Sequence, residues 1–303
     1  MCPINSELYI HQDDKAALKA LKEIPGFSSL MKEFMKIGYE KSWYIRNMSS
    51  NIRLNENQLP HIYNMLPPIC EKLGINVPEL YLELSTYPNA YTFGDTKPFI
   101  VITTGLLERF TDDEIKTTLA HECGHIACHH TLYQTLGHFV MYGGLSILQN
   151  VPGINLITVS FNVAYCYWLR CAEYSCDRAA AICDGGPEGI TSVMLRFSGA
   201  NKDIDSLINK EEYLKQANEY KQYVSDSKWN KTLEFLAFST ASHPMNVLRT
   251  SAIIEWCKSS DFNKILLNGE SNQIELNVCP QCGNQINKGQ KFCGVCGYKL
   301  INE

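Results

Sequence analysis

A long segment without charged side chains is the strongest constraint on how this chain can fold. Between Cys123 and Leu169 there is no aspartate, glutamate, lysine or arginine, and Gly143-Gly144 and Val151-Pro-Gly153 interrupt the segment. A transmembrane hairpin needs about 20 apolar residues in each span. Each half of this segment is shorter than that and carries amide or imidazole side chains. We therefore expect a helical hairpin that is buried in the protein, or that touches a membrane peripherally through residues 131–169.

The composition is that of an ordinary globular protein. The 303 residues are 45% hydrophobic and 19% charged, and the formal net charge is −5. The chain therefore has no excess of basic residues that would favour binding to nucleic acid. The first residues, Met1-Cys-Pro-Ile-Asn-Ser-Glu7, lack the basic and apolar segments of a secretory signal. We expect a cytoplasmic protein that is not secreted, whose 13 cysteines are thiols and metal ligands rather than a disulfide framework.

The periodicity of apolar residues predicts a mostly helical α+β fold. Apolar residues recur at three- and four-residue steps from His11 to about Asn51, which is helical spacing. Between Leu80 and Thr104 the period changes to two, which predicts a small antiparallel sheet. The sequence Thr111-Asp-Asp-Glu114 matches a capping box and predicts a helix that continues to about His130.

That helix carries a zinc-binding motif. His121-Glu-Cys-Gly-His125 has HExxH spacing, which places both imidazoles on one helical face. A catalytic zinc takes three protein ligands and a water, and the glutamate beside the first histidine can take a proton from that water. The longer HExxHxxGxxH pattern is excluded because Cys128 and Thr131 occupy its last two positions. His129 lies about 12 Å along a helix axis from the first histidine, and we interpret His129 and His130 as polar residues at the helix end.

A second segment supplies two carboxylates. Glu173 and Asp177 are four residues apart and share one face of a predicted helix. One of them can bind zinc while the other holds a ligand histidine through its second ring nitrogen. An exposed charged helix face is the alternative interpretation. The HExxH motif and the preceding uncharged segment favour the metal site.

Together these segments resemble the HtpX-like zinc metallopeptidases, the group that also includes the CAAX prenyl proteases. The matching segments, in the family's order, are Asn89 to Gly94, Pro98 to Leu107, Leu119 to His125, Glu173 to Asp177, and Ser242-His-Pro244 with Arg249. The region from His11 to Phe27 also resembles soluble bacterial members. Cys123 departs from the aliphatic residue that is usual at its position. The resemblance implies a zincin-like fold in which the small sheet lies beside the HExxH helix.

The resemblance also implies the roles of individual residues. The implied zinc ligands are His121, His125 and Glu173, with Glu122 as general base and Asp177 as the carboxylate behind a ligand histidine. His243 and Arg249 are suggested to stabilise the oxyanion of the tetrahedral intermediate. The implied substrate-binding segment, next to the strand that receives an extended peptide, contains Asn89, Ala90 and Tyr91. The implied activity is that of a zinc metalloendopeptidase acting on unfolded or exposed protein segments, and the alternative is a zinc-binding scaffold or adaptor with vestigial activity.

The C-terminal cysteines predict a second zinc site. Two CxxC pairs, each followed by glycine, contain Cys279, Cys282, Cys293 and Cys296. Four thiolates close the coordination sphere of a zinc ion, so this site is expected to be structural and resembles a zinc ribbon. We predict one catalytic and one structural zinc, and a protein partner for the ribbon. The predicted division of the chain is a helical region over residues 1–59, a metallopeptidase domain over 60–270 and the ribbon over 271–303.

Overall fold

The structure is a computed structural model that describes residues 3–141, 154–239 and 245–268, together with residues 290 and 292. In these residues the helices are α1 (Gln12–Lys22), α2 (Phe27–Ile37), α3 (Tyr39–Ser50), α4 (Pro60–Tyr63), α5 (Leu66–Leu73), α6 (Thr104–Arg109), α7 (Asp112–Ala127), α8 (Thr131–Met141), α9 (Ile154–Asp184), α10 (Glu188–Phe197), α11 (Lys210–Ser225), α12 (Lys228–Phe238), α13 (Asn246–Cys257) and α14 (Ser260–Asn268). The strands are β1 (Ile52–Leu54), β2 (Glu79–Glu83), β3 (Ala90–Phe93) and β4 (Phe99–Thr103). The predicted mostly helical α+β class is confirmed.

The sheet has the order β1-β2-β4-β3 and is mixed. β1 pairs with β2 and β3 pairs with β4 in antiparallel fashion, but β2 and β4 are parallel, with Leu80 opposite Ile100. The prediction of a purely antiparallel sheet is therefore wrong for this central pair. All five residues of β4 are buried, whereas β3 is mostly half-buried. Because β4 is buried on both faces, it takes the interior position and leaves β3 at the edge.

Helix α7 begins with the predicted capping box. The Thr111 hydroxyl accepts a hydrogen bond from the Glu114 amide at 3.3 Å, and the Glu114 carboxylate accepts from the Thr111 amide at 2.8 Å. Near the other end of the helix, Gly124 allows close contact with α9. A Cβ atom at Gly124 would lie 2.9 Å from the Ala179 Cβ and 3.1 Å from the Cys176 Cα. The absence of a side chain at Gly124 therefore brings together the two helices that carry the predicted metal ligands.

Several side chains of the uncharged segment pack against the N-terminal helices. Leu136 and Phe139 of α8 and Phe161 of α9 share one hydrophobic cluster with Leu21 of α1 and Phe34 of α2. In the ranges that the structure describes, no helix has both the length and the apolar character that crossing a bilayer requires. Helices α1 and α2 supply apolar surroundings for α8 and for residues 161–172 of α9.

The N-terminal residues are integrated with the rest of the fold. Strand β1 belongs to the sheet, and Ile4, Tyr9 and Leu54 lie in the same hydrophobic cluster as Leu119 of α7. The region 1–59 therefore shares a core with the region that follows it. The predicted domain boundaries themselves stay predictions.

Candidate metal centre

Helices α7 and α9 bring the predicted ligands together. Glu173 Oε2 lies 3.4 Å from His121 Nε2, and Glu173 Oε1 lies 3.5 Å from His125 Nε2. All three side chains are buried. Ligand atoms about 2.0–2.2 Å from a zinc ion in tetrahedral geometry are about 3.4 Å apart. Each of these two nitrogen–oxygen distances is therefore the distance expected between two ligands of one zinc ion.

Asp177 lies behind the first histidine. Its Oδ1 is 3.1 Å from His121 Nδ1, although the ring N–H is not aligned with it well enough for a hydrogen bond. Burial alone would lower the pKa of His121, but its contacts with Asp177 and Glu173 outweigh burial and raise the pKa to about 10. A proton therefore competes with the metal for His121, and zinc binding must release that proton.

Arg249, which lies on α13, contacts both carboxylates of the site on α9. Its Nε donates to Asp177 Oδ2 at 2.8 Å and its NH2 group to Asp177 Oδ1 at 2.5 Å, while NH1 lies 2.8 Å from Glu173 Oε2. Every nitrogen of the buried guanidinium thus faces a carboxylate. The sequence suggested that Arg249 stabilises an oxyanion. In the structure its guanidinium contacts both Asp177 and Glu173, and its role in the reaction stays a prediction.

Cys176 also has a potential ligand atom near the two histidines. One ligand atom of each of His121, His125 and Cys176 lies within 4.8 Å of the other two. The Cys176 Sγ is 3.6 Å from His130 Nδ1, and that nitrogen is 3.1 Å from His125 Nδ1. The thiol therefore lies towards the Nδ1 side of His125, away from the Nε2 side that Glu173 faces. Burial also raises the pKa of the Cys176 thiol well above its ordinary value, which disfavours the thiolate that zinc requires.

Glu122 is held by the edge strand of the sheet. The Thr92 hydroxyl of β3 donates to Glu122 Oε2 at 2.5 Å. Both residues are buried, and Glu122 lines a cavity of about 250 Å³ together with Asn89 and Ala90. The apolar part of its lining includes four residues of α10, namely Ile190, Val193, Met194 and Phe197.

A larger cleft continues from the same site. It has a volume of about 540 Å³ and is shared by His121, Glu122, His125 and Glu173. Tyr91, another residue of the predicted substrate-binding segment, lines this cleft. The aromatic part of its wall also contains Trp43, Phe93 and His138. Asn89, Ala90 and Tyr91 thus all lie beside the candidate metal centre.

His130 is the residue whose position differs most from its sequence interpretation. Helix α7 ends at Ala127, and His129 has a φ of 58°, in the left-handed region. This turn folds the chain back, so that the His130 amide donates to the His125 carbonyl at 2.9 Å. The ring of His130 then lies against that of His125 instead of a full turn beyond it. A straight continuation of α7 would not bring these two rings together.

The other predicted site residues lie outside the described residues. These are His243 and the four cysteines Cys279, Cys282, Cys293 and Cys296. Their roles stay predictions.

The fold and this site define a zinc metallopeptidase of the HExxH type. Residues 68–257 match the model of Peptidase family M48, and residues 278–300 match that of a zinc-ribbon domain. The chain belongs to Peptidase family M48. The predicted family, enzyme class and C-terminal zinc ribbon are thus confirmed.

Named relatives agree with this assignment. The chain is 31% identical to the plastoglobule-localized metallopeptidase 48, chloroplastic, of Arabidopsis thaliana over 266 residues, which are 87% of this chain and 76% of that protein. It is 24% identical to the protease HtpX homolog 2 of Methanosarcina acetivorans, over 50% of this chain and 60% of that protein. It is 26% identical to the protease HtpX of Legionella pneumophila strain Corby, over 47% of this chain and 59% of that protein. The chain therefore matches about three-fifths of the length of these two HtpX relatives.

Proposed function

We propose that this chain is a zinc metalloendopeptidase in which His121, His125 and Glu173 hold the catalytic zinc and Glu122 is the general base. The observation that carries the proposal is that the two oxygens of Glu173 lie 3.4 and 3.5 Å from the Nε2 atoms of the two histidines. When bound there, zinc supplies a Lewis acid and lowers the pKa of a water molecule. Cys176 is not included because its thiol lies on the other side of His125.

The surroundings of Glu122 support its role as a base. The hydrogen bond from Thr92 occupies Oε2, and we assign proton transfer to the other oxygen. The carboxylate is buried beside the candidate ligands and borders both cavities. A base in such a position can take a proton from the attacking water and return it to the leaving amine.

The edge strand supports a polypeptide substrate in extended conformation. Among the described strands, β3 pairs only with β4, so its free edge can add a peptide by main-chain hydrogen bonds. Asn89 and Ala90 place that edge at the cavity, whose apolar wall from α10 can accept a side chain. Main-chain recognition requires an extended segment, which favours unfolded or exposed regions of proteins as substrates.

Replacement of Glu122 by glutamine tests this mechanism. The Glu122→Gln variant should retain zinc but cleave denatured casein about 10²- to 10⁴-fold more slowly, the usual contribution of a general base. The matched control is Glu108→Gln, at an exposed position on α6, which should cleave like the parent. If Glu122→Gln cleaves as fast as the parent, the assignment of the base is wrong. If binding of a partner protein persists in a variant without any activity, the scaffold alternative gains support.

Two broader expectations also remain proposals. We propose a cytoplasmic location, with peripheral membrane contact confined to residues 131–169. The exposed Val163 and Tyr167 on α9 are consistent with such contact. We also propose that the zinc ribbon contacts a protein partner, because its predicted four-cysteine site leaves no open coordination position for catalysis.

A further inference from the structure

A buried carboxylate of the N-terminal helix lies close to the metal centre. Asp14 of α1 is 1% exposed. Its Oδ1 accepts a hydrogen bond from Trp168 Nε1 at 3.0 Å, and its Oδ2 lies 2.6 Å from Ser175 Oγ and 2.9 Å from His130 Nε2. Asp14 is therefore a carboxylate that accepts from three side chains.

His130 connects this carboxylate with His125. The His130 Nδ1 lies 3.1 Å from His125 Nδ1, and its other nitrogen faces Asp14. The three residues thus form a continuous chain of short contacts from α1 to α7. Both histidines and Asp14 are buried, so bulk water does not compete for these hydrogen bonds.

The ligand role of His125 fixes the direction of each hydrogen bond. If zinc binds Nε2, the proton of the neutral ring is on Nδ1, and this N–H must donate. His130 Nδ1 is then the acceptor, so the His130 proton is on Nε2 and donates to Asp14. Every donor in the chain meets an acceptor, and the series ends on a negative charge.

Gln134 is compatible with the same direction. Its side-chain amide also lies 3.1 Å from His125 Nδ1, and the buried Gln134 Oε1 has no other hydrogen-bond partner among the described residues. Rotation of the amide lets this oxygen accept from the same N–H. The surroundings of His125 Nδ1 therefore contain acceptors for one donated proton.

We infer that Asp14 and His130 are positioning residues of the zinc site, which fix the tautomer and the ring orientation of His125. This inference rests on the proposed ligand set. It makes α1 part of the metal centre, although α1 precedes the residues 68–257 that match the family model. Asp177 has the corresponding position behind His121, so each imidazole has a carboxylate behind it, one directly and one through His130.

Zinc affinity of the full-length protein tests the inference. In Asp14→Asn, the amide NH₂ group can point towards His130 Nε2, in which case His130 must carry its proton on Nδ1 instead. Alternatively, the NH₂ group points towards the Trp168 N–H, so that two donors face each other. We expect zinc to bind about 10- to 100-fold more weakly, as is usual when the partner of a ligand histidine is lost. The readout is zinc occupancy in a series of chelator buffers. In addition, the absorption bands of bound cobalt(II) should shift, which a purely structural loss would not cause.

Two control variants separate positioning from packing. Asp13→Asn changes the neighbouring residue, whose side chain is 64% exposed, and should leave zinc affinity unchanged. Ser175→Ala removes a different hydrogen bond of Asp14 and should lower the unfolding temperature without changing zinc affinity. The predicted ribbon is the same in all variants, so differences in affinity belong to the α7–α9 site.

A second variant covers the case in which Asp14→Asn does not fold. His130→Asn keeps an acceptor near His125 Nδ1 but is too short to reach Asp14, and it should lose zinc affinity to a similar extent. Zinc affinity within about twofold of the parent in either variant, instead of the usual 10- to 100-fold loss, would overturn the inference. His125→Ala is the reference. If His125→Ala loses the catalytic zinc while the other variants keep it, only the positioning role fails. If His125→Ala keeps the catalytic zinc, the proposed ligand set fails as well.

Discussion

Replacement of Arg249 distinguishes two roles for this residue. The sequence suggested an oxyanion donor, whereas the structure shows three guanidinium nitrogens within 2.8 Å of carboxylate oxygens of Asp177 and Glu173. Arg249→Met removes the guanidinium that contacts both buried carboxylates. Breaking a buried ion pair in this way costs about 3–5 kcal/mol. The free energy of unfolding of the zinc-free protein should fall by that amount.

Arg249→Lys gives an intermediate case. An ammonium group keeps the charge but cannot reproduce the forked contact with Asp177 and also reach Glu173. Loss of one hydrogen bond to a charged group costs about 1.5–3 kcal/mol. The assay is urea unfolding followed by circular dichroism, with zinc content and cleavage of denatured casein measured on the same samples. Arg109→Met, at an exposed position on α6, is the matched control and should unfold like the parent.

The two roles predict opposite patterns. Removal of an oxyanion donor lowers the rate by about 10²- to 10³-fold and leaves stability unchanged. Removal of a positioning residue lowers stability and zinc content together with the rate. If Arg249→Met retains both its stability and its zinc and loses only activity, the positioning role is wrong.

Two further predictions concern the framework around the site. Burial alone would raise the pKa of Glu114, but hydrogen bonds from Arg196, Ser192 and the Thr111 amide hold it below its ordinary value of 4.5. At neutral pH the free energy of unfolding of the parent protein should therefore exceed that of Glu114→Gln by about 1.5–3 kcal/mol. Urea titrations at several pH values should show this difference shrinking as the pH falls below 4.5, because the Glu114 carboxylate is then protonated. A Cβ at Gly137 would lie 1.9 Å from the Tyr165 ring, so Gly137→Ala should lower the urea midpoint by an amount equivalent to about 1–3 kcal/mol, and an unchanged midpoint would contradict this packing.

The two residue pairs of the candidate site could be predicted from the sequence because the spacing within each pair is local, whereas the choice of Glu173 as the ligand came from the family resemblance. His121 and His125 are one helical turn apart, and Glu173 and Asp177 are also one turn apart. Such pairs share a helical face whatever the rest of the fold does. The capping box before α7 was predictable for the same reason, since its two residues are three positions apart.

The remaining features depend on contacts between distant segments. The parallel pairing of β2 with β4 arises because the fully buried β4, rather than β3, lies beside β2. The alternation of apolar residues along each strand does not indicate which of the two takes that place. The left-handed conformation of His129 redirects His130, and no residue near it signals the turn. Asp14 did have a signal, because it lies on the same helical face as the buried Ala17 and Leu21, where a carboxylate needs partners.

Zinc content per chain tests the central proposal most directly. We expect two zinc ions in the parent, one in Glu173→Ala and one in Cys279→Ser, with cleavage lost only in the Glu173 variant. The assay is metal analysis of dialysed protein. A Glu173→Ala variant that still holds two zinc ions and cleaves casein would show that the carboxylate between the two histidines is not a ligand.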